Sequence, residues 1–520
     1  MCGIFGFISR NNSKLHPYSS KIMKDLFILS ESRGKEASGI ASILEDSIVV
    51  YKSPEPSSEL LKSKIYRQNF LNFKSSLSQN YASIGHSRLV TNGYEHVNKN
   101  NQPFIKSNSC VIHNGIITNQ QDILKKYKEF EFISDLDSEI IPTIFMHEVK
   151  KKNNFNDAKD KLFSEIYGMT TFGMCFEDYD YLLLATNNGS LYYSYNIDND
   201  SFIFASEKNI LINIIRKNNY KKEFLENNIR QLLPHEALLL NLIDVSSQNF
   251  GQVPNLLIDN IKRTNKKKNI KDLSSESSDV INSSFDIFLE NPPAKFVNFF
   301  EEQSKKINAI RRCKKCILPE TFPSINFDDN GVCNVCNNYN PILYKGESSL
   351  KEDIYSYDLL KKNNQFLLPF SGGRDSSYTL HYLKTKFDLN PICYSYDWGM
   401  ITDLARRNQS RMCGALGIEH IYISADIRKK RKYISKNVCA WLKKPELGMI
   451  PLFMAGDKAF LYYSQILTTQ NKLPFSMMGI NHLEKTSFKN AFTNEKTYQS
   501  GSMSYNVNIG NKLRIINYYL

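Results

Sequence analysis

Apolar positions along this 520-residue chain fall into two patterns. From Met1 to about Phe250 they form short runs rich in β-branched and aromatic residues: CGIFGFI, SIGHSRLV, CVIHNGII, YLLLATN, LYYSY and FIFASE. Runs this short, separated by helix-period stretches, predict a layered α+β domain over residues 1–250. The chain then turns polar, with NKKKN, SSESS and an Asn-Pro-Pro at Asn291 to Pro293, which predicts a linker over 251–306. From Gln365 the runs QFLLPF, PICYSY, HIYISA and PFSMMGI alternate with amphipathic segments. That alternation predicts an α/β domain over 346–520, built on a doubly wound parallel sheet. Between linker and α/β domain, residues 307–345 hold a compact cysteine-rich module.

Composition narrows the class. An apolar fraction of 41% is that of a globular protein, and no apolar run is long enough to cross a bilayer, so no membrane partner is expected. MCGIFGFIS is apolar from its second residue and continues as a strand, unlike a secretory leader, so a cytoplasmic location is expected. The net charge of +13 is spread over stretches such as Lys266 to Lys268 and Lys429 to Lys432, so nucleic acid is not the expected partner. Homo-oligomerisation is left open.

Candidate chemistry begins at Cys2. Removal of Met1 would leave a thiol and a free α-amine on one residue, a nucleophile with a pKa near ~8.5 beside a base near ~8. Five further motifs follow in order: RGKEASGIA from Arg33, GHSRLVTNG from Gly85, NQPF from Asn101, HNGIITN from His113, and DLDSE from Asp135. Together with Cys2 they resemble the class II glutamine amidotransferases, the N-terminal-nucleophile family that includes glucosamine-6-phosphate synthase and asparagine synthetase. The resemblance covers about the first 240 residues and implies an αββα layered fold. It further implies that Arg88 clamps the α-carboxylate of glutamine and Asp137 its α-ammonium. Asn114 and Gly115 would form the oxyanion hole, and Thr91 and Gly34 would help line the pocket. Ser87 and Leu89 depart from the Thr and Trp usual in the sugar-forming relatives.

Cys313-x2-Cys316 and Cys333-x2-Cys336, sixteen residues apart, have the spacing of two knuckles closing a four-thiolate site, with structural zinc as the expected ion. Further on, SGGRDSS at Ser371 to Ser377 follows an apolar strand and opens a helix. Gly372 and Gly373 allow a tight turn of N–H groups, while Ser371, Ser376 and Ser377 add hydroxyls, which makes a phosphate cradle. This loop resembles the PP-loop of ATP pyrophosphatases and implies ATP and magnesium, with Asp375 as the magnesium-side carboxylate. Asp397 at the end of the next strand is a candidate for the adenosine pocket.

The cysteine module, SGGRDSS and MGINHLEKTSFKNAF at Met478 to Phe492 together resemble the N-acetyl sugar amidotransferases of surface-polysaccharide (lipopolysaccharide) and nonulosonic-acid pathways. That resemblance covers about Arg311 to Phe492. It implies ATP-dependent conversion of an acetamido sugar to an acetamidino sugar, with release of AMP and pyrophosphate. Asn481, Glu484, Lys489 and Lys458 become candidates for acceptor or phosphate contact. Members of that family are usually separate from their glutaminase and usually continue further past this last motif. Two other readings are an asparagine-synthetase-like ligase, which lacks a cysteine module in this position, and a tRNA-modifying PP-loop enzyme, which would leave the glutaminase motifs without a role.

Overall fold

The computed structural model describes residues 2–71, 79–90, 95–152, 154–217, 220, 222–250, 261, 263–264, 267–274, 294–322, 325–339, 343–356, 365–443, 445, 457–480, 513 and 517. Two compact units result. The first takes in residues 1–279, 359–427 and 458–480, and the second residues 280–358, 428–457 and 481–520.

The first unit is built on two stacked sheets. The larger has eight strands in the order β11 (Arg230–Gln231), β9 (Tyr192–Tyr195), β10 (Ser201–Ala205), β1 (Gly3–Ser9), β4 (Tyr81–Arg88), β2 (Ala37–Ile43), β3 (Ser47–Ser53) and β14 (Asn269–Asp272). The smaller has six, in the order β13 (Ser247–Phe250), β12 (Ala237–Asn241), β8 (Tyr181–Thr186), β7 (Gly168–Phe176), β6 (Ser109–Ile117) and β5 (Phe104–Lys106). Every residue of β1, β4, β6 and β7 is buried. That is why these segments read as nearly continuous apolar runs rather than alternating ones. Ile4, Ile8, Ala41 and Ile84 of the first sheet pack on Ile112, Leu182, Leu184 and Leu238 of the second.

Helices cover the two outer faces. Ile22, Met23, Leu26 and Phe27 of the Ser19–Ser30 helix lie against Phe5, Phe7 and Ile40. Ile141, Ile144 and Phe145 of the Ile140–Lys152 helix lie against Val111, Phe172 and Met174. The layering is therefore αββα, as the resemblance implies. The segment read as a linker is partly structured, because Asn269–Asp272 adds to the sheet edge parallel to β3. An edge strand needs only its backbone to pair, so its polar side chains gave no strand signal.

In the same unit, β15 (Leu367–Pro369), β16 (Ile392–Asp397) and β17 (His420–Ser424) form a parallel sheet in that order. Leu367 also makes a parallel bridge to Ser476. β16 and β17 thus lie on one side of β15, and the Ser476 segment lies on its other side. Between β16 and β17 lies the Asp403–Leu416 helix, capped by Thr402 and stopped at Gly417 with φ 61°. It packs on β6 and β7, and a Cβ on Gly414 would lie 2.5 Å from the Gly168 carbonyl oxygen.

A second tie joins the sheets at Glu419, whose buried carboxylate accepts a hydrogen bond from Tyr192 and lies 3.5 Å from Gln231 Nε2. Burial, reinforced by Glu207, pushes this carboxyl up to about 7. A carboxyl raised on folding stabilises the fold most below its unfolded value, and that contribution is lost as pH rises through about 7. Glu419→Gln keeps an acceptor for Tyr192 without the charge. Relative to the parent it should gain up to about 3 kcal/mol between pH 5 and pH 8. Denaturant unfolding of both proteins across this range tests the claim, and a constant difference would refute it.

Candidate active site

The glutaminase motifs converge at one end of the stacked sheets. Cys2 immediately precedes β1, and the register that sets Gly3 opposite Ser87 brings it beside Arg88 at the end of β4. The Cys2 thiol is buried and donates to the Leu89 carbonyl at 3.6 Å. Burial pushes the thiol up from its ordinary value, the nearby Arg88 guanidinium draws it down, and Asp137 raises it. Arg88 donates from Nη1 to Asn101 Oδ1 at 2.6 Å, and Asn101 is held in turn by the Glu95 carbonyl at 2.7 Å. Gly34 passes against the Arg88 backbone so closely that a Cβ there would lie 2.2 Å from the Arg88 carbonyl carbon.

β6 supplies the acceptor side of the pocket. Asn114 is buried, and neither atom of its side-chain amide has a hydrogen-bond partner among the described residues. At Gly115 a Cβ would stand 2.0 Å from the Met169 carbonyl oxygen. Asp137 is buried at the start of a short turn, where Oδ2 accepts the Ile117 N–H at 2.7 Å. His86 and His113 lie nearby but serve structure. Burial pushes His86 down to about 3 and also lowers His113, so both are neutral, the first bonded to the His113 carbonyl and the second to Ser138.

The Ser371–Ser377 segment turns from β15 into the Arg374–Phe387 helix. Gly372 takes φ 75°, a conformation that favours glycine, and a Cβ there would lie 2.6 Å from Gln409. Ser371 Oγ accepts the Gly373 N–H at 3.2 Å and lies 3.1 Å from Ser376 Oγ, so the hydroxyls brace the turn. Asp375 is exposed in the first turn of the helix, and Gly479 packs against Asp375 and Thr379 of that turn. Asp397 is placed differently from a free nucleotide contact: Oδ1 accepts the Gly399 N–H at 2.8 Å and Oδ2 pairs with Arg406 at 2.7 Å. Its carboxylate shapes the end of β16.

In the second unit, the sulfurs of Cys313, Cys316, Cys333 and Cys336 all lie within 4.8 Å of one another. Separations of 3.9 Å for Cys313–Cys336 and 3.5 Å for Cys316–Cys333 bracket the ~3.8 Å edge of a tetrahedron with metal–sulfur bonds near ~2.3 Å. Backbone N–H groups of Lys315, Cys316 and Cys333 point at Cys313 Sγ, which favours the thiolate that a metal requires. Thr91, Asn481, Glu484 and Lys489 lie outside the described residues, and the side chain of Lys458 does as well.

Several residues at these sites were not singled out in the sequence. Asn101 appeared only within NQPF, although its Oδ1 accepts from Arg88. Gln409 holds the Ser371 carbonyl at 2.7 Å and Arg406 holds Asp397, yet both sit in a helix with no recognisable signature.

A buried thiol thus heads a central strand of an αββα sandwich, with Arg88 and Asp137 beside it. Residues 86–213 match the model of a family described as a glutamine amidotransferase domain, so this part of the chain is such a domain. Glutamine–fructose-6-phosphate aminotransferase (isomerizing) of Staphylococcus aureus is 30% identical over 195 residues, which cover 37% of this chain and 30% of that protein. The Chlamydia caviae enzyme of the same name is 30% identical over 188 residues, covering 35% and 28%. The chain thus spans about a third of the length of these relatives. Glutamine phosphoribosylpyrophosphate amidotransferase from B. subtilis, solved with ADP and GMP, aligns with 22% identity and a TM-score of 0.36, covering 49% of this chain and 50% of that one.

Asn101→Ala removes the partner that aims Arg88 and leaves the thiol and the amide in place. The KM for glutamine should rise about tenfold, in keeping with the loss of one hydrogen bond to a charged group, while kcat changes much less. Steady-state glutaminase kinetics would measure the split, and an unchanged KM would remove Asn101 from the clamp.

Proposed function

We propose that this chain is a glutamine- and ATP-dependent amidotransferase that turns an acetamido sugar into an acetamidino sugar. The observation that carries the reading is a buried Cys2 thiol beside Arg88 and Asp137, in one compact unit with the Ser371–Ser377 turn. With Met1 removed, the α-amine of Cys2 takes the thiol proton, and the thiolate attacks the side-chain carbonyl of glutamine. Asn114 and Gly115 meet the developing oxyanion, and such donors are worth about 3 kcal/mol each. Ammonia leaves, and water releases glutamate from the thioester. Arg88 and Asp137 hold the two charged ends of the amino acid.

The second half of the reaction rests on the resemblance of SGGRDSS to a PP-loop. The turn would cradle the β- and γ-phosphates while the acetamido oxygen attacks the α-phosphorus, giving an O-adenylyl imidate and pyrophosphate. Ammonia then adds at the imidate carbon and AMP departs with the oxygen, leaving C=NH where C=O stood. An amide oxygen is a poor leaving group, and adenylation cures this. Magnesium would offset phosphate charge at Asp375. The four sulfurs of the cysteine module suit zinc, which with four thiolates keeps no open position and so supports the fold alone.

Two outcomes test this reading. Cys2→Ala should lose glutamine-dependent amidation and keep most ammonia-dependent amidation, with AMP and pyrophosphate as products and a sugar product lighter by the difference between O and NH. ADP among the products, or full glutaminase activity in the variant, would overturn it. Purified protein should also carry about one zinc per chain, and Cys333→Ser should lose most of it, because three thiolates bind far more weakly than four. Iron with labile sulfide in elemental analysis would contradict the zinc assignment.

A further inference from the structure

The Asp403–Leu416 helix touches both candidate sites with one face. Arg406, Gln409 and Ser410 are spaced i, i+3 and i+4 and therefore project together. Gln409 holds the carbonyl of Ser371, the first residue of the phosphate-type turn, at 2.7 Å. Arg406 divides its guanidinium: Nε and Nη2 hold Asp397 Oδ2 at 3.2 and 2.7 Å, while Nη1 donates to the Val90 carbonyl at 2.9 Å. Ser410 Oγ donates to the Ile116 carbonyl at 3.0 Å and accepts the Met169 N–H at 2.9 Å.

Both strands of contact end at the glutaminase pocket within one or two peptide groups. Leu89 and Val90 share a peptide whose carbonyl receives the Cys2 thiol and whose N–H is held by Glu36, and Arg406 grips the next carbonyl along. Ile116 and Ile117 share another, whose carbonyl receives Ser410 and whose N–H is held by Asp137. A peptide group is planar and stiff, so a displacement applied to one side reaches the other. Asp397 is buried, and Val90 and the Arg406 side chain are partly buried.

We infer that Arg406 is a positioning residue for glutamine hydrolysis, through which occupancy of the Ser371–Ser377 turn sets the Val90–Leu89 segment against the Cys2 thiol. The inference rests on the proposal that this turn binds ATP. Filling the turn fixes Ser371, hence Gln409 and the helix, and Arg406 carries the helix position to Val90. Ammonia release then rises when nucleotide is in place to use it. Linkage makes the binding part reciprocal, so glutamine should tighten ATP to the degree that ATP tightens glutamine.

The test uses the full chain with magnesium and an ATP analogue carrying a methylene bridge between the α- and β-phosphorus atoms, which a pyrophosphatase cannot cleave. Glutamine hydrolysis is measured with and without it, and analogue binding is followed separately by equilibrium dialysis. The parent should be stimulated about tenfold, within the span usual for coupled sites. Arg406→Ala should bind analogue with its stimulation ratio near unity, and Arg406→Lys, which keeps charge but only one prong, should fall between. Ser410→Ala, which removes the parallel contact, should lower the ratio too and serves if the arginine variant does not fold. Parent-like stimulation in Arg406→Ala, or a parent that binds analogue without stimulation, overturns the inference and leaves the ATP reading standing. A parent that binds no analogue overturns the ATP reading, and the inference with it.

Discussion

The pairing of β1 with β4 is the constraint from which the pocket follows. Both strands are buried along their whole length, and their register sets Gly3 against Ser87. A slip of one residue would turn every side chain to the opposite face of the sheet. Ile4, Phe5, Phe7 and Ile84 all lie in packed cores, so no such slip is open to them. With the register fixed, the thiol of residue 2 has one place to be, next to the arginine that ends the partner strand. Asn101 and Asp137 are set near that point by turns, where a change of one residue costs less packing than it would inside the sheet.

The glutaminase half was legible because its chemistry demands residue types that sit close together in sequence. Arg88 in GHSR, Asn114-Gly115 and Asp137 each carry a recognisable neighbourhood, and the structure sets Arg88 and Asp137 near the Cys2 thiol. The Asp403–Leu416 helix was not legible in the same way. Its sequence, DLARRNQSRMCGAL, has few apolar positions, and its buried face carries Gln409, Ser410 and Cys413. A polar stripe where an amphipathic helix should be apolar was the available signal. Reading it needs the partners, Ser371, Ile116 and Met169, which are distant in sequence. Asn269–Asp272 escaped for a related reason: backbone pairing at a sheet edge imposes almost nothing on side chains. Asp397 was rightly picked out as standing at a strand end, but its carboxylate is spent on Arg406 and Gly399.

The sandwich and the parallel sheet differ in how they satisfy their polar groups. In the sandwich the Asn114 amide is one of several buried side-chain groups with no partner among the described residues. In the parallel sheet the exposed turn at Ser371 pairs its hydroxyls locally and leaves its face to solvent.

Gly414 and Gly168 bring a helix backbone and a strand backbone together with no side chain between them. Such a contact makes the two halves poor candidates for modular exchange. Cut away from its companion, the sandwich would expose the Ile116 carbonyl and the Met169 N–H, and a substitute helix would have to offer both a hydroxyl like that of Ser410 and a glycine at the depth of Gly414.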